Sequence, residues 1–384
     1  MPYAEIKIPA VNPSRVLIVS SEFPPGPGGI GRHAADLSKA LADKGCIVDV
    51  YSSNDYVGGE ALNNYRNELP GQIRLHHFKR VGLLTYPIRI LRVLKAVRRS
   101  DYGRLVFTGK FPLWIGGVVK TFYGEKGVIE FFVHGSEINP CNKFSRVLTH
   151  WSLDKADRIW AVSEFTKSLL PENVRGNKEI HILPNGVHVS DWPFSDSLEP
   201  YNDWKGYPKL LTVGSISPRK GQHRVINALP QLKKKYPQIH YHIVGMDTNS
   251  EYLRDIIRTL KLGDHVTLHG RFPGKNELAK AYRTIDIFMM LSENQPDGDV
   301  EGFGISILEA NLYGKPAIGS RGCGIEDAIK PGINGELVDG NNHSEISEAI
   351  TNILNRKEQY NYGTIEWVSR HNWNVLINDF LKAK

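Results

Sequence analysis

The chain has 384 residues, more than the roughly 250–300 at which a single hydrophobic core stops growing, so we expect two domains. Hydrophobic residues make up 41% and charged residues 23%, as in ordinary globular proteins. No apolar run approaches the roughly 20 residues of a membrane span, which excludes an integral membrane protein built of helices.

The net charge of +7 is unevenly distributed. Residues 1–187 contain 25 Lys and Arg against 17 Asp and Glu, a net charge of +8, whereas the remaining 23 and 24 give −1. This asymmetry suggests that the first half meets something anionic. A membrane surface, a nucleic acid and a phosphorylated substrate are all open at this stage.

The N-terminal sequence and the cysteines indicate in which cellular compartment the protein is expected. The first apolar run is short, is broken by Glu22, and lacks the small-residue cleavage site of a secretory signal. Cys46, Cys141 and Cys323 are scattered and odd in number, so they indicate neither a disulfide framework nor a metal site. We therefore expect a cytoplasmic protein without a metal.

Short β-branched segments alternate with helix-length segments along the chain. Seven predicted strands begin near residues 15, 46, 73, 104, 128, 158 and 180. After the Pro/Asp/Ser-rich stretch 191–208, six more begin near residues 209, 240, 265, 285, 316 and 335. This rhythm predicts an α/β protein with two doubly wound parallel sheets. Ligands of such sheets bind beyond the carboxyl ends of the strands.

The first predicted strand runs into SEFPPGPGGIGRH, where Gly28, Gly29 and Gly31 precede a helix. Glycines there allow the backbone to approach a phosphate, whose charge a helix N-terminus favours. A tight turn entering a helix explains the same residues, and the spacing is not the strict dinucleotide fingerprint. Both interpretations stay open for this loop.

Two adjacent cations follow the first strand of the second half, in VGSISPRKG. Arg219 and Lys220 stand just before a predicted helix, where positive charge opposes the helix macrodipole unless an anion is bound. A fork-shaped guanidinium and a compact ammonium would together neutralise a diphosphate. A solvated basic turn is the alternative.

A histidine and a glutamate lie at apolar positions. His134 ends the apolar strand VIEFFVHG, where a neutral imidazole could bond a substrate hydroxyl or could be a core residue. In VEGFGISILEANLYGKP (300–316), a helix that starts near Gly304 would place Glu309 on its buried face. Such a carboxylate needs either a protein cation or donors on a bound molecule.

Several segments in this order resemble the retaining glycosyltransferases of family 4, which have the two-domain GT-B fold. They are FPPGPGGIGRH, FFVHGSE, VSEFTKSL, ILPNGV, VGSISPRKG, VTLHGRF and EGFGISILEA. Glu301 and Glu309 have the family's E-x7-E spacing, and FPP…GGIGRH and DVEGFGI are similar to the branch that contains bacterial lipid mannosyltransferases. The resemblance runs from about residue 15 to the C-terminus.

The resemblance implies two Rossmann-like domains that face an interdomain cleft. The N-terminal, acceptor-side domain would span residues 1–190, and the nucleotide-sugar-binding domain would span 191–365. A C-terminal helix at 366–384 would return to the first domain. The overlapping stretch TIEWVSRHNWNVLINDFLK (364–382) is predicted to be a single helix.

The resemblance also implies the active site. The catalytic set would be His134, Arg219, Lys220 and Glu301. His134 would contact the sugar, the two cations would stabilise the leaving diphosphate, and Glu301 would hold sugar hydroxyls. The other donor-binding residues would be Gly28, Gly29, Gly245, Met246, Arg271, Phe272, Gly302, Phe303, Gly304, Ile305 and, on the ribose, Glu309. Retaining hydrolases use a nucleophilic carboxylate, but none is evident near His134. The resemblance implies instead a reaction on the donor's front face, in which an oxygen of the leaving diphosphate helps to deprotonate the acceptor. No metal or other cofactor is implied.

The resemblance leaves the substrates open. His188 follows PNGV where the family commonly has aspartate, VGMD lacks a second glycine, and GSRGCGIEDAI departs from the form GG-x-x-E. The resemblance implies a GDP- or UDP-sugar as donor, and as acceptor a hydroxyl on a lipid-linked molecule or a glycan of the cell envelope. The alternatives are a nucleotide-sugar epimerase, a glucan phosphorylase and an inactive sugar-nucleotide-binding protein. No basic motif interleaved with aromatic residues supports a nucleic-acid partner.

Segment 84–99, LTYPIRILRVLKAVRR, holds much of the basic excess. On a helical wheel an apolar arc of Ile90, Leu91, Val93, Leu94 and Val97 faces a basic arc of Arg89, Arg92, Lys95 and Arg99. A sheet-covering helix with a solvated basic face explains this pattern. A peripheral contact with anionic lipid at the inner face of the cell membrane explains it equally well.

Overall fold

The computed structural model describes residues 14–53, 57–124, 126–195, 198–248 and 250–383. The N-terminal residues used to judge a secretory signal, up to position 13, and residues 196–197 of the expected linker lie outside this description. The chain divides into two compact units, Met1–Phe131 with Lys155–Asp157, and Phe132–Asp154 with Arg158–Lys384. The domain boundaries at 190 and 365 stay a prediction.

All thirteen predicted strands are present, in two sheets. The first sheet contains β1 (Arg15–Ser20), β2 (Ile47–Ser53), β3 (Ile73–Phe78), β4 (Arg104–Thr108), β5 (Val128–Val133), β6 (Arg158–Ala161) and β7 (Glu179–Ile182). The second contains β8 (Lys209–Val213), β9 (His240–Val244), β10 (Val266–Gly270), β11 (Ile287–Met290), β12 (Ala317–Ser320) and β13 (Gly335–Val338). Their orders are β3-β2-β1-β4-β5-β6-β7 and β10-β9-β8-β11-β12-β13. The doubly wound α/β prediction is confirmed.

The central strands explain why the sequence reads as apolar runs. Leu17 and Ile18 of β1 are fully buried although they point to opposite faces, and β11 is buried throughout. A parallel sheet is covered by helices on both faces, so its strands are not alternately apolar and polar.

Fifteen helices are found in the described part of the chain. They are α1 (Gly29–Asp43), α2 (Gly59–Glu68), α3 (Thr85–Arg99), α4 (Lys110–Tyr123), α5 (Lys143–Lys155), α6 (Glu164–Ser168), α7 (Glu172–Asn177), α8 (Gln222–Lys235), α9 (Glu251–Thr259), α10 (Lys275–Thr284), α11 (Ile305–Asn311), α12 (Ile325–Ala328), α13 (His343–Asn355), α14 (Lys357–Arg370) and α15 (Trp373–Lys382). None of them is both long and apolar enough to cross a bilayer.

The prediction of a single helix over 364–382 is wrong, because the segment breaks between α14 and α15. The Asn372 side chain accepts a hydrogen bond from the N–H of Asn374 and so caps a new helix. The break is also held from outside, since the N–H of Val187 donates to the carbonyl of His371 and Trp373 donates to the carbonyl of Val187.

The last helix packs on strands of the first sheet. The ring of Phe380 in α15 is fully buried, 5.8 Å from the Phe132 ring of β5 and 5.0 Å from the Trp160 ring of β6, centroid to centroid. These contacts hold the C-terminus against the sheet, within the second compact unit.

The helical wheel of α3 is wrong at two positions. Arg89 is only 7% exposed, and its guanidinium lies 5.6 Å from the ring centroid of Phe78. Leu91, expected inside, is 64% exposed. The inward face follows Thr85, Arg89 and Val93, four residues apart, and a long aliphatic stem under an aromatic ring makes the buried arginine tolerable.

Candidate active site

Strands β8, β9 and β10 end side by side in glycine, at Gly214, Gly245 and Gly270. The N–H of Gly214 donates to the carbonyl of Val244, and the N–H of Gly245 donates to that of Gly270, both at 2.9 Å. Met246, the next predicted residue, accepts a hydrogen bond from the N–H of Ile216. This carboxyl edge is where ligands of such sheets bind.

Arg219 and Lys220 lie in a short 3₁₀ turn after β8, and both contact carboxylates. Arg219 Nε donates to Asp299 Oδ2 at 2.9 Å, and its Nη1 donates to Glu301 Oε2. Lys220 Nζ donates to the same oxygen of Glu301 at 2.7 Å. We call these four residues the ion cluster; its formal charges sum to zero.

Glu301 and Arg219 stay ionised although both are removed from solvent. Burial by itself would raise the pKa of Glu301, but the charges of Lys220 and Arg219 outweigh it and hold that pKa below its usual range. For Arg219, burial is outweighed by Glu301 and Asp299, so the pKa of the guanidinium is raised. Glu301 therefore pairs with the very cations predicted to hold the diphosphate, and its contact with the sugar stays a prediction.

The loop after β5 and the loop before α11 approach each other at backbone distance. A Cβ atom at Gly302 would overlap the carbonyl oxygen of His134, so only glycine fits there. A Cβ atom at Gly135 would likewise overlap the Val300 side chain. The structure thus brings His134 and the E-x7-E segment together, although they are far apart in sequence.

Ser136 connects the first of these loops to the ion cluster. Its hydroxyl donates to Asp299 Oδ1 at 2.9 Å and accepts from the N–H of Val300 at 3.1 Å. The other oxygen of the Asp299 carboxylate is held by Arg219. Sequence reasoning missed both Ser136 and Asp299. Their positions beside the motif residues, in HGSE and DVEG, were the available signal.

His134 is a neutral imidazole at ordinary pH, because burial lowers its pKa to about 3. Its backbone N–H donates to Glu137 Oε1 at 2.6 Å, which fixes the turn after β5. A neutral imidazole is the form that the predicted hydrogen bond to a sugar hydroxyl needs. The contact itself stays a prediction.

Helix α11 begins at Ile305, as predicted, after Gly304 with a φ of 92°. Glu309 is half-buried, and its Oε2 accepts a hydrogen bond from the hydroxyl of Tyr282 in α10 at 2.8 Å. The sequence analysis considered only a protein cation or a bound molecule as the partner of Glu309. The structure shows a neutral partner instead, the tyrosine hydroxyl. The Phe303 side chain is buried, so a bound nucleotide sugar could contact only the backbone of this residue.

Arg271 and Phe272 follow β10 and differ in exposure. Arg271 is exposed, whereas the Phe272 ring packs 5.8 Å from that of Tyr201 and 5.9 Å from that of His269. The Phe272 side chain thus belongs to the packing of the second sheet. A contact of this loop with the nucleotide base stays a prediction.

In the first compact unit, a carboxylate lies against the glycine loop. A Cβ atom at Gly28 would overlap Glu22 Oε2, and the N–H of Gly31 donates to the Glu22 carboxylate. Burial raises the pKa of Glu22, and this hydrogen bond offsets only part of the effect. A phosphate at Gly28 or exposed Gly29 would have to displace or neutralise Glu22, which sequence reasoning did not anticipate.

Among the residues that the structure describes, no group of three or more His, Cys, Asp or Glu side chains is placed to hold a metal ion. The carboxylates of Asp299 and Glu301 are engaged by cations. Positive charge at this edge is supplied by Arg219 and Lys220.

Comparison with known families identifies the chain. The profile of the Glycosyltransferase Family 4 domain matches residues 27–191, and that of Glycosyl transferases group 1 matches residues 196–363. The two matches follow one another and cover most of the chain. The chain belongs to the retaining glycosyltransferases of family 4, and it is an enzyme with the GT-B fold.

Relatives and solved structures agree with this. A GDP-mannose-dependent alpha-(1-6)-phosphatidylinositol monomannoside mannosyltransferase of Mycobacterium tuberculosis is 25% identical over 385 residues, covering 96% of this chain and 98% of the relative. The sucrose-phosphate synthase of Thermosynechococcus elongatus has a TM-score of 0.79 at 18% identity, covering 96% and 98% of the two chains. Anabaena HepE in complex with UDP-glucose has a TM-score of 0.74 at 18% identity, covering 96% and 100%. These two likenesses concern the fold.

Replacing Asp299 with Asn should tighten nucleoside diphosphate binding by about threefold to tenfold, because a diphosphate would no longer compete with this carboxylate for Arg219. Calorimetric titration with GDP and UDP measures the effect. Ser136→Ala is the control, since it removes a neighbouring hydrogen bond but keeps the Asp299 charge. Unchanged or weaker binding by the Asp299→Asn variant would show that Asp299 and the diphosphate do not compete.

Proposed function

We propose that the ion cluster binds the diphosphate of a nucleotide sugar and stabilises its departure while a hexose is transferred, with retention, to a hydroxyl acceptor. The observation that supports this most is the pairing of Arg219 and Lys220 with Glu301 at the carboxyl edge of the second sheet. Charge that develops on a leaving diphosphate is stabilised by cations already in place, so a metal ion is not required.

The ion cluster also suggests how Glu301 acts. When the diphosphate oxygens take over Arg219 and Lys220, one oxygen of the Glu301 carboxylate loses its partners and can accept hydrogen bonds from sugar hydroxyls. Of the two carboxylates, Asp299 is displaced more easily from Arg219, because its side chain is 47% exposed and that of Glu301 only 11%. Donor binding is thus an exchange of anions on two fixed cations.

For the substrates, we propose GDP-mannose as donor and a lipid-linked hydroxyl as acceptor. The M. tuberculosis relative and one of Corynebacterium glutamicum, 24% identical over 352 residues, are both named as GDP-mannose-dependent enzymes acting on phosphatidylinositol mannosides. A UDP-sugar is the alternative donor. Three free cysteines fit the cytoplasmic location expected from the sequence.

We also propose a peripheral contact with the membrane, at the start of α3. Leu83 is 98% exposed and Leu84 is 61% exposed, which is unusual for large apolar side chains so close together. Lys79 and Arg80 are exposed just before them, and each cation near an anionic surface contributes about 1 kcal/mol. This apolar tip with its basic flank, residues 79–84, fits insertion into an anionic interface.

Alanine at Arg219 or Lys220 should reduce turnover about a hundredfold or more, because each stabilises charge on the leaving diphosphate. The test is transfer of mannose from GDP-mannose, with circular dichroism to confirm that each variant folds. Arg321→Ala is a suitable control, since this exposed arginine also follows a strand of the second sheet, β12, but pairs with Glu345. Near-normal turnover in either cluster variant would contradict the assignment.

The double variant Leu83→Ser/Leu84→Ser should lose binding to vesicles of phosphatidylcholine with phosphatidylglycerol, as measured by sedimentation. The control is Phe144→Ser/Val147→Ser, which removes two exposed apolar side chains from α5. Wild-type binding should need the anionic lipid and weaken with salt. If the wild type binds neither these vesicles nor vesicles of phosphatidylcholine alone, or if the two double variants lose binding equally, the tip is not the membrane contact.

A further inference from the structure

We propose a second anion site in the first compact unit, a cleft along the edge strand β3 that binds a phosphate ester. The cleft has a volume of about 610 Å³. Its charged and titratable lining consists of Arg66, His76, His77, Arg92, Lys95 and Arg99. We call it the edge cleft. It goes beyond the transfer reaction proposed above and uses none of the residues of the ion cluster.

The charge of the edge cleft is one-sided. No Asp or Glu lines it. Among the described residues, none of its four Arg and Lys side chains forms an ion pair with a carboxylate, although Arg15, Arg104 and Arg219 elsewhere in the protein each have one. Four like charges around one cavity repel each other, and an anion in the cavity would relieve that repulsion.

Some hydrogen-bond donors of the edge cleft have no acceptor or only a distant one. Arg66 Nε is buried, and within the described part of the chain it donates to no acceptor. Arg92 donates a long hydrogen bond, 3.4 Å, from Nη1 to the carbonyl oxygen of His77. A buried N–H without a partner is costly, and a bound oxyanion would supply the acceptor.

Basic side chains from two helices, α2 and α3, line the same cleft along β3. Arg92, Lys95 and Arg99 are three and four residues apart on α3, so they share one face of that helix. Arg66, near the end of α2, lies on the same cavity. Guanidinium forks bind two phosphate oxygens at once, and the lysine adds a single donor, so the class of ligand is a phosphate ester rather than a carboxylate. The His76 imidazole is already engaged, since its Nε2 lies 3.3 Å from Asp49 Oδ1.

The position of the cleft separates it from the substrate edge of the sheet. Helix α3 leads from the carboxyl end of β3 back toward the amino end of the parallel strand β4. Arg92, Lys95 and Arg99 occupy its middle and end, and substrates of such sheets bind at the opposite, carboxyl edge. The cleft is therefore suited to an ancillary ligand, either a soluble phosphate ester or a phosphorylated lipid headgroup.

A structural explanation exists and makes a different prediction. Charged side chains on an edge strand prevent pairing with other sheets, and arginines near the end of a helix favour its macrodipole. Either effect depends on charge at the surface and would be the same for Arg98, which is exposed on α3 but does not line the cleft. Arg98 and the exposed Lys44, which also lies outside the cleft, therefore provide a charge-matched control.

The experiment titrates the full-length protein with inositol 1,4,5-trisphosphate in the presence of saturating GDP, which occupies the donor site. Three proteins are compared: the wild type, the cleft variant Arg92→Gln/Arg99→Gln, and the control variant Lys44→Gln/Arg98→Gln. We expect the cleft variant to bind at least tenfold more weakly than the wild type, and the control variant to bind within twofold of it. Thermal midpoints confirm that both variants fold.

Vesicles of phosphatidylcholine with phosphatidic acid, or with phosphatidylserine as the non-monoester anion, distinguish the source of the ligand. Loss of soluble trisphosphate binding in the cleft variant alone supports a site open to free esters. Loss of phosphatidic acid binding in the cleft variant alone, without soluble binding, supports a lipid headgroup. Equal losses in the two variants, or no binding of either probe by the wild type, overturn the proposal. Affinity for GDP-mannose is measured in parallel, and it tests the donor site separately.

Discussion

The pairing of the Glu301 carboxylate with Arg219 and Lys220 is the interaction on which the carboxyl edge of the second sheet depends. Glu301 is only 8% exposed, and a carboxylate this buried is stable only beside cations. Removing one partner of such a pair typically costs about 3–5 kcal/mol. The pairing fixes the turn after β8 against the segment before α11, and the contact of Gly302 with the His134 carbonyl then brings in the loop after β5.

In the function that we propose, this arrangement solves a problem that any site for a diphosphate has. Two adjacent cations repel each other and need a counter-charge when no donor is bound. Glu301 and Asp299 supply it, so the cations stay in position and their side chains need not be reordered when the donor arrives. In the proposed function, donor binding at this cluster of zero formal charge would exchange one set of anions for another, a smaller electrostatic change than filling a bare cationic pocket.

The sequence predicted the strands well because buried parallel strands are apolar on both faces, a pattern that depends only on local composition. It singled out Arg219 and Lys220 because charges stand out at the end of such a strand, and Glu309 because a carboxylate stands out on an apolar helix face. Glu301 came from the E-x7-E spacing of the family. It did not predict Tyr282 as the partner of Glu309 or Asp299 as that of Arg219, since both pairings join segments whose approach only the tertiary structure defines.

The errors have local physical causes. A periodic pattern runs through 364–382, but the side-chain cap at Asn372 and the backbone bonds to Val187 interrupt it. On α3 a wheel drawn from hydrophobicity alone cannot anticipate that Arg89 finds an aromatic ring inside, while Leu91 is left outside. Tertiary contacts override local preference in both cases.

The central claim, that the ion cluster receives the diphosphate and releases Glu301 to the sugar, is tested most directly by Glu301→Gln. Affinities for GDP and GDP-mannose are measured by calorimetry in the wild type and in this variant. The account predicts that the wild type gains affinity from the mannose and that the variant loses this gain while still binding GDP. A variant that retains the wild-type preference for GDP-mannose over GDP would contradict it.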